Sequence, residues 1–160
     1  MLRIPSRGRA GKKLPGVRER LMDERLFFPV QLDVDPSLLP VQVLAYLGDA
    51  VYELLVRQYL VGLGMSRADV MHREAVKYVR ADFQARAIRR LEGVLSEEER
   101  AVARRGRNLK LLHPPKGQTT EAYHYSTALE ALVGFLYLKG EKRRLAELME
   151  MIIEQGRGFS

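Results

Sequence analysis

The stretch from Val41 to Val61 constrains the fold more than any other part of this chain. It holds no proline, and its apolar residues at 44, 47, 51, 54 and 55 recur with the 3.6-residue period of a helix. Most of its remaining positions are apolar too, so the helix must be enclosed by others rather than laid on a surface. Asp49 is the exception. It falls on one edge beside Ala45 and Val56, with Gln42 and Glu53 about 20 to 40 degrees away at roughly 100 degrees per residue. A carboxylate in that position is rarely buried unless it is paired or bound to a metal.

A second run repeats the pattern. YSTALEALVGFLYL (125–138) is apolar around most of its circumference, and Glu130 is its one acid. The neighbours of Glu130 on the wheel, Ser126, Thr127, Gly134 and Tyr137, are mostly small or hydroxylic and make a notch rather than a ridge. A lone acid on one helix is ordinarily an ion pair or a surface residue. Two acids, each the odd member of an enclosed helix, suit facing edges that offer hard oxygen ligands to Mg2+. Such an ion activates water and stabilises charge on a phosphate. Gly48 and Gly134 beside them also fit close helix packing alone.

The rest of the chain reads as helices and loops, with no alternating strand pattern, so the class is all-α. Residues 1–30 read as a flexible basic tail and 31–160 as one folded domain, introduced by an extended, proline-bearing strap over 27–40. Gly62 and Gly64 end the first helix, and Ser66 with Asp69 predicts a capped restart, with helix continuing through one or two breaks to Val94. Ser96 before three glutamates predicts another N-terminus and a helix to Arg105. Residues 106–122 read as a long loop, and a last amphipathic helix is expected over 141–154.

The net charge of +7 points to a polyanionic partner. Residues 1–25 carry eight basic groups and three acids, a net +5, which leaves only +2 for the remainder, so a nucleic-acid site on the body has to be a local patch. The richest patch is Arg104, Arg105, Arg107, Lys110 and Lys116 in and before the long loop, where His113, Tyr123, His124 and Tyr125 are interspersed. A basic loop beside two acids would clamp a duplex by its phosphates. Arg73, Lys77 and Arg80 form a second basic stripe at helical spacing. The chain has no cysteine, which excludes disulfide frameworks, thiolate zinc sites and cysteine nucleophiles, and it has no apolar run long enough to span a membrane. A cytoplasmic location is the expectation.

LAYLGDAVYELLV (44–56) resembles the signature helix of ribonuclease III catalytic domains, and YSTALEALVGFLYL resembles their second acidic helix, in the expected order and within a similarity covering roughly residues 38–156. No sequence follows residue 160 for the double-stranded RNA-binding domain usual in that family, and the wording is similar to the Mini-III subfamily. The resemblance implies an all-α homodimer that cleaves both strands of an RNA duplex with Mg2+, usually to mature the 23S ribosomal RNA precursor. It also implies that Asp49 and Glu130 are catalytic and hold the metal. Family members with a fuller set carry further acids where this chain has Ala45 and Thr127, so the site is poorer in charge, and Glu53 is a candidate helper. The alternatives are a non-catalytic RNA-binding or ribosome-associated module of the same fold and a helical protein-interaction domain.

Overall fold

A computed structural model of the chain describes residues 32–109 and 115–158, and six α-helices lie among them with no strand. They are α1 (Val41–Gly62), α2 (Ala68–Val79), α3 (Ala81–Leu91), α4 (Glu97–Arg107), α5 (Thr120–Lys139) and α6 (Lys142–Arg157). The all-α expectation holds. The basic tail expected over 1–30 lies outside the described residues, as do Lys110 and His113.

The axis of the fold is α5, buried almost continuously from Ser126 to Leu136. A helix apolar all round finds no free energy minimum at a surface. It packs against α1 on one side and against α3 and α4 on the other. Tyr52, Phe135, Leu44, Leu129 and Leu132 are among the core's largest fully buried side chains. Each such burial contributes roughly 1.5 to 3 kcal/mol. Gly140, at φ 78°, closes α5 in the left-handed conformation that a residue without Cβ adopts at least cost.

Several boundaries differ from the sequence expectation. The restart after Gly64 has Arg67 rather than Ser66 at its N-cap and no side-chain cap, so Asp69 falls one position short of the capping-box site and pairs instead with Arg67 at 2.9 Å and Arg73 at 3.6 Å. The break between α2 and α3 falls at Arg80, whose extended backbone (φ −65°, ψ 141°) needs neither proline nor glycine. The Tyr52 hydroxyl donates at 2.7 Å to the Tyr78 carbonyl there, so an acceptor freed by the break stays satisfied inside the core.

The Ser96 cap is present as a full capping box with Glu99. Glu99 is also buried, and Arg144 of α6 donates to it at 2.8 and 2.9 Å while reaching the Val94 carbonyl at 2.7 Å. One buried, fully bonded carboxylate thus ties the last helix to the start of α4. The α6 helix runs to Arg157, three residues beyond the expected end.

The expected loop over 106–122 is the largest correction. The α4 helix extends through Gly106 to Arg107, and α5 begins at Thr120. Gly106 is buried: a Cβ there would lie 2.9 Å from the Cα of Ala128, so this glycine lets α4 approach α5 rather than ending a helix. Thr119 caps α5, accepting the Ala122 amide at 3.1 Å. Arg104, Arg105, Arg107, Tyr123, His124 and Tyr125 therefore sit on helices, and the connection is confined to residues 108–119.

Candidate active site

Two glycines decide where the acids meet. A Cβ on Gly48 would lie 1.6 Å from the carbonyl oxygen of Glu130 and 2.8 Å from the Gly134 nitrogen. A Cβ on Gly134 would lie 2.0 Å from the Leu44 carbonyl oxygen and 3.1 Å from the Gly48 nitrogen. Residue 44 thus faces 134 while 48 faces 130, so α1 and α5 run antiparallel with their backbones touching. Asp49 directly follows one contact and Glu130 supplies the other, which brings both carboxyl groups to one notch.

Their electrostatics record that proximity. Burial, and then the Asp49 charge, pushes the Glu130 carboxyl up to about 8. Asp49 stands on the solvent side, and burial followed by the Glu53 charge raises it above the usual carboxylate range. Among the described residues neither acid has a basic partner. Glu53 accepts from Arg57 at 3.1 Å, so its charge is partly engaged one turn away.

The positions that leave the site poorer in charge are filled quietly. Ala45 is buried, and the Thr127 hydroxyl donates at 2.9 Å to the Tyr123 carbonyl, as does that of Ser126. These hydroxyls serve their own helix. Among the described residues no three His, Asp or Glu side chains gather around a common point. The donor set is therefore two carboxylates whose charged forms are disfavoured by burial, and a hard divalent cation that keeps several waters would supply the missing counter-charge. Mg2+ fits that description.

The Glu130 environment has a measurable consequence. Its folded pKa lies above the ordinary 4.5, so the folded state holds this proton more firmly than the unfolded chain does. The contribution to stability is full below pH 4.5 and is lost as pH rises through about 8. With a chelator present, Glu130→Gln is therefore expected to melt higher than the parent at pH 9, by about 5 °C or more, and to match it near pH 4. Equal melting temperatures at both pH values would contradict the buried, unneutralised carboxyl.

The basic candidates are dispersed. Arg105 donates to the carbonyls of Ser37 and Leu39, both at 2.6 Å, and thereby fastens the strap ahead of α1. Arg73 pairs with Asp69, and Lys77 with Glu74 at 2.8 Å. Lys116 is exposed in the connection between α4 and α5. Arg104 and Arg107 line a cleft on the side of α5 away from the acids, joined by Arg100, which the sequence reading did not single out. The spacing 100, 104, 107 is one helix face and becomes legible once α4 is known to reach Arg107.

Comparison with known proteins adds an independent line. Residues 42–141 match the ribonuclease III domain. The chain is 46% identical over 112 residues to the Mini-ribonuclease 3 of Thermoanaerobacter sp., covering 70% of this chain and 79% of that protein. It is 45% identical over 125 residues to the Mini-ribonuclease 3 of Symbiobacterium thermophilum, covering 76% and 96%. A crystal structure of a Fusobacterium nucleatum protein superimposes with a TM-score of 0.63 at 28% identity, covering 70% of this chain and 89% of that one.

Proposed function

The chain belongs to the ribonuclease III family as a Mini-ribonuclease 3 and is thus an endoribonuclease; from that premise we propose that it cleaves both strands of RNA duplexes with Mg2+, its substrate being the 23S ribosomal RNA precursor. The observation that carries this reading is the glycine contact that sets Asp49 and Glu130 in one notch. Asp49 and Glu130 are the catalytic residues and would hold Mg2+, which when bound polarises a phosphate oxygen and lowers the pKa of a coordinated water. At neutral pH the Glu130 carboxyl holds its proton, which binding of a cation would displace. A cleavage assay on a ribosomal RNA stem, with and without Mg2+, tests the reading. Duplex binding without cleavage would instead favour the non-catalytic RNA-binding module.

The outer face of α1 supports the homodimer. Val43, Tyr46 and Leu54 are 45%, 86% and 48% exposed, and with Ala50 they line one strip of the helix with Asp49 at its edge. A contiguous apolar strip of this kind suits a self-complementary twofold contact. Such a contact would bring two acid notches together, one for each strand. Tyr46→Glu is expected to give a monomer in sedimentation velocity, and a dimer persisting in that variant would move the interface elsewhere.

Phosphate contacts fall to Lys110 and Lys116 in the connection that leads into α5, with Arg73 and Lys77 as further candidates, whereas Arg105 is engaged by the strap and Arg104 and Arg107 stand on the side of α5 away from the acids. Replacing Lys110 and Lys116 together with Ala should weaken duplex binding and flatten its log-log salt dependence by roughly one unit per lost contact. An unchanged slope would take the connection out of the RNA interface. The reading places the enzyme in the cytoplasm, consistent with the absence of cysteine. Among the described residues no helix is long and apolar enough to cross a membrane.

A further inference from the structure

A second concavity lies behind the acid notch. A half-open cleft of about 310 Å3 is bounded by α3, α4 and α5, with the buried side chains of Ile88, Leu95, Ala103 and Ala128 as its floor. Tyr125 forms one wall, and Arg100, Arg104, Arg107 and Glu92 stand around the rim. Its volume is at the lower end of the roughly 300 to 1,000 Å3 typical of small-ligand sites. Tyr125 and Ala128 lie about 140 and 160 degrees around α5 from Glu130, at roughly 100 degrees per residue, so the cleft is separate from the cleavage site.

Three features narrow what it holds. The first is uncommitted charge. Arg57, Arg67, Arg80 and Arg144 each pair with an acid, whereas among the described residues no carboxylate pairs with Arg100, Arg104 or Arg107. Among the described residues Arg107 donates only to the Asn108 side chain, at 3.5 Å, and lies 5.8 Å from the Tyr125 ring centre. Like charges stacked at successive turns of one helix repel, and a bound anion removes that cost.

The second is the quantity of charge. Three guanidiniums less the Glu92 carboxylate leave two positive charges, which matches a phosphate monoester near pH 7 better than the single charge of a diester. The third is the floor and wall. An inorganic anion gains nothing from buried Ile88, Leu95 and Ala128, whereas a planar base does. The Tyr125 ring, with the Arg89 guanidinium 4.2 Å from its centre, is the kind of aromatic and cationic surface on which unpaired bases stack.

We propose that this cleft binds a nucleoside 5′-monophosphate group, its base over the floor beside Tyr125 and its phosphate among Arg100, Arg104 and Arg107. Glu92 offers an acceptor to the ribose hydroxyls. The group has two possible sources, a free nucleotide or the phosphorylated 5′ end of an RNA strand. The site stands independently of the catalytic reading.

Calorimetric titration of the full chain tests it, with adenosine 5′-monophosphate, adenosine and inorganic phosphate as probes. The nucleotide is expected to bind at least about tenfold more tightly than either fragment, and Arg100→Gln with Arg104→Gln to remove at least about tenfold of that affinity. Asp49→Asn should leave nucleotide binding unchanged. Both arginines are exposed, and a thermal melt checks that the double variant folds. Chemical-shift mapping on the parent protein supplies a second reading, with saturable changes centred on Tyr125. Phosphate binding as tightly as the nucleotide, changes centred on Asp49, or no saturable binding would each overturn the proposal. Short single-stranded RNAs with 5′-phosphate and 5′-hydroxyl ends separate the sources: a preference for the phosphorylated end that the double variant loses assigns the RNA end, and equal affinities with nucleotide binding retained assign the free nucleotide.

Discussion

Replacing Asp49 with Asn is expected to lower RNA duplex cleavage by more than roughly a hundredfold, since even partners that merely orient a metal ligand are worth about 10- to 100-fold. The fold should not suffer. Asp49 stands on the solvent side of the notch, its charge opposes both Glu53 and Glu130, and the amide preserves its volume. Removing one of two mutually repelling carboxylates leaves stability unchanged or slightly raised, and it lets the Glu130 carboxyl relax toward its ordinary value. The check pairs a cleavage time course with a thermal melt and sedimentation of the same preparation. Near-parental cleavage would sink the assignment of Asp49, whereas lost cleavage accompanied by lost folding would mean that its role is structural.

The second large effect comes from a single methyl group. Gly48→Ala would put a Cβ 1.6 Å from the Glu130 carbonyl oxygen, which is backbone and cannot swing aside. The two helices have to separate, and the cost is expected to exceed the roughly 1 to 3 kcal/mol of ordinary overpacking. Against a total stability of about 5 to 15 kcal/mol, that leaves the variant poorly folded or melting well over 10 °C lower. Gly62→Ala is the matched control in the same helix, because nothing lies within 4 Å of its Cβ, and it should be neutral or slightly stabilising. A Gly48→Ala protein as stable as the parent would show that α1 and α5 do not touch as described, and the notch would lose its basis.

The helices that carry the site were legible because their signal is periodic and strong. α1 was expected over 41–61 and spans Val41–Gly62, and the Ser96 capping box appears with both of its hydrogen bonds. The failures lie where local chemistry has two meanings. Gly106 reads as a helix stop when taken alone, yet it is a packing residue when Ala128 lies 2.9 Å from its absent Cβ. The Thr119 and Thr120 pair reads as loop, although a threonine hydroxyl that accepts an amide also begins a helix. Ser66 and Asp69 had the spacing of a capping box, but the helix starts one residue later, with Arg67 at the N-cap and its guanidinium on Asp69. Arg105 looked like one more phosphate contact, and nothing in its own neighbourhood of sequence shows the Ser37 and Leu39 carbonyls 66 to 68 residues away.

Sequence alone determined the elements and the anomaly: an all-helical chain in which two enclosed helices each carry one unexplained acid. Periodicity is a local property, and it is readable without knowing any partner. The tertiary structure decided that the two acids are neighbours, because that depends on which helices pack, in which direction and how closely. The reciprocal contact of Gly48 and Gly134 settles all three. Only through that contact does the Asp49 charge reach Glu130, and a divalent cation would supply the counter-charge that neither acid finds among the described residues.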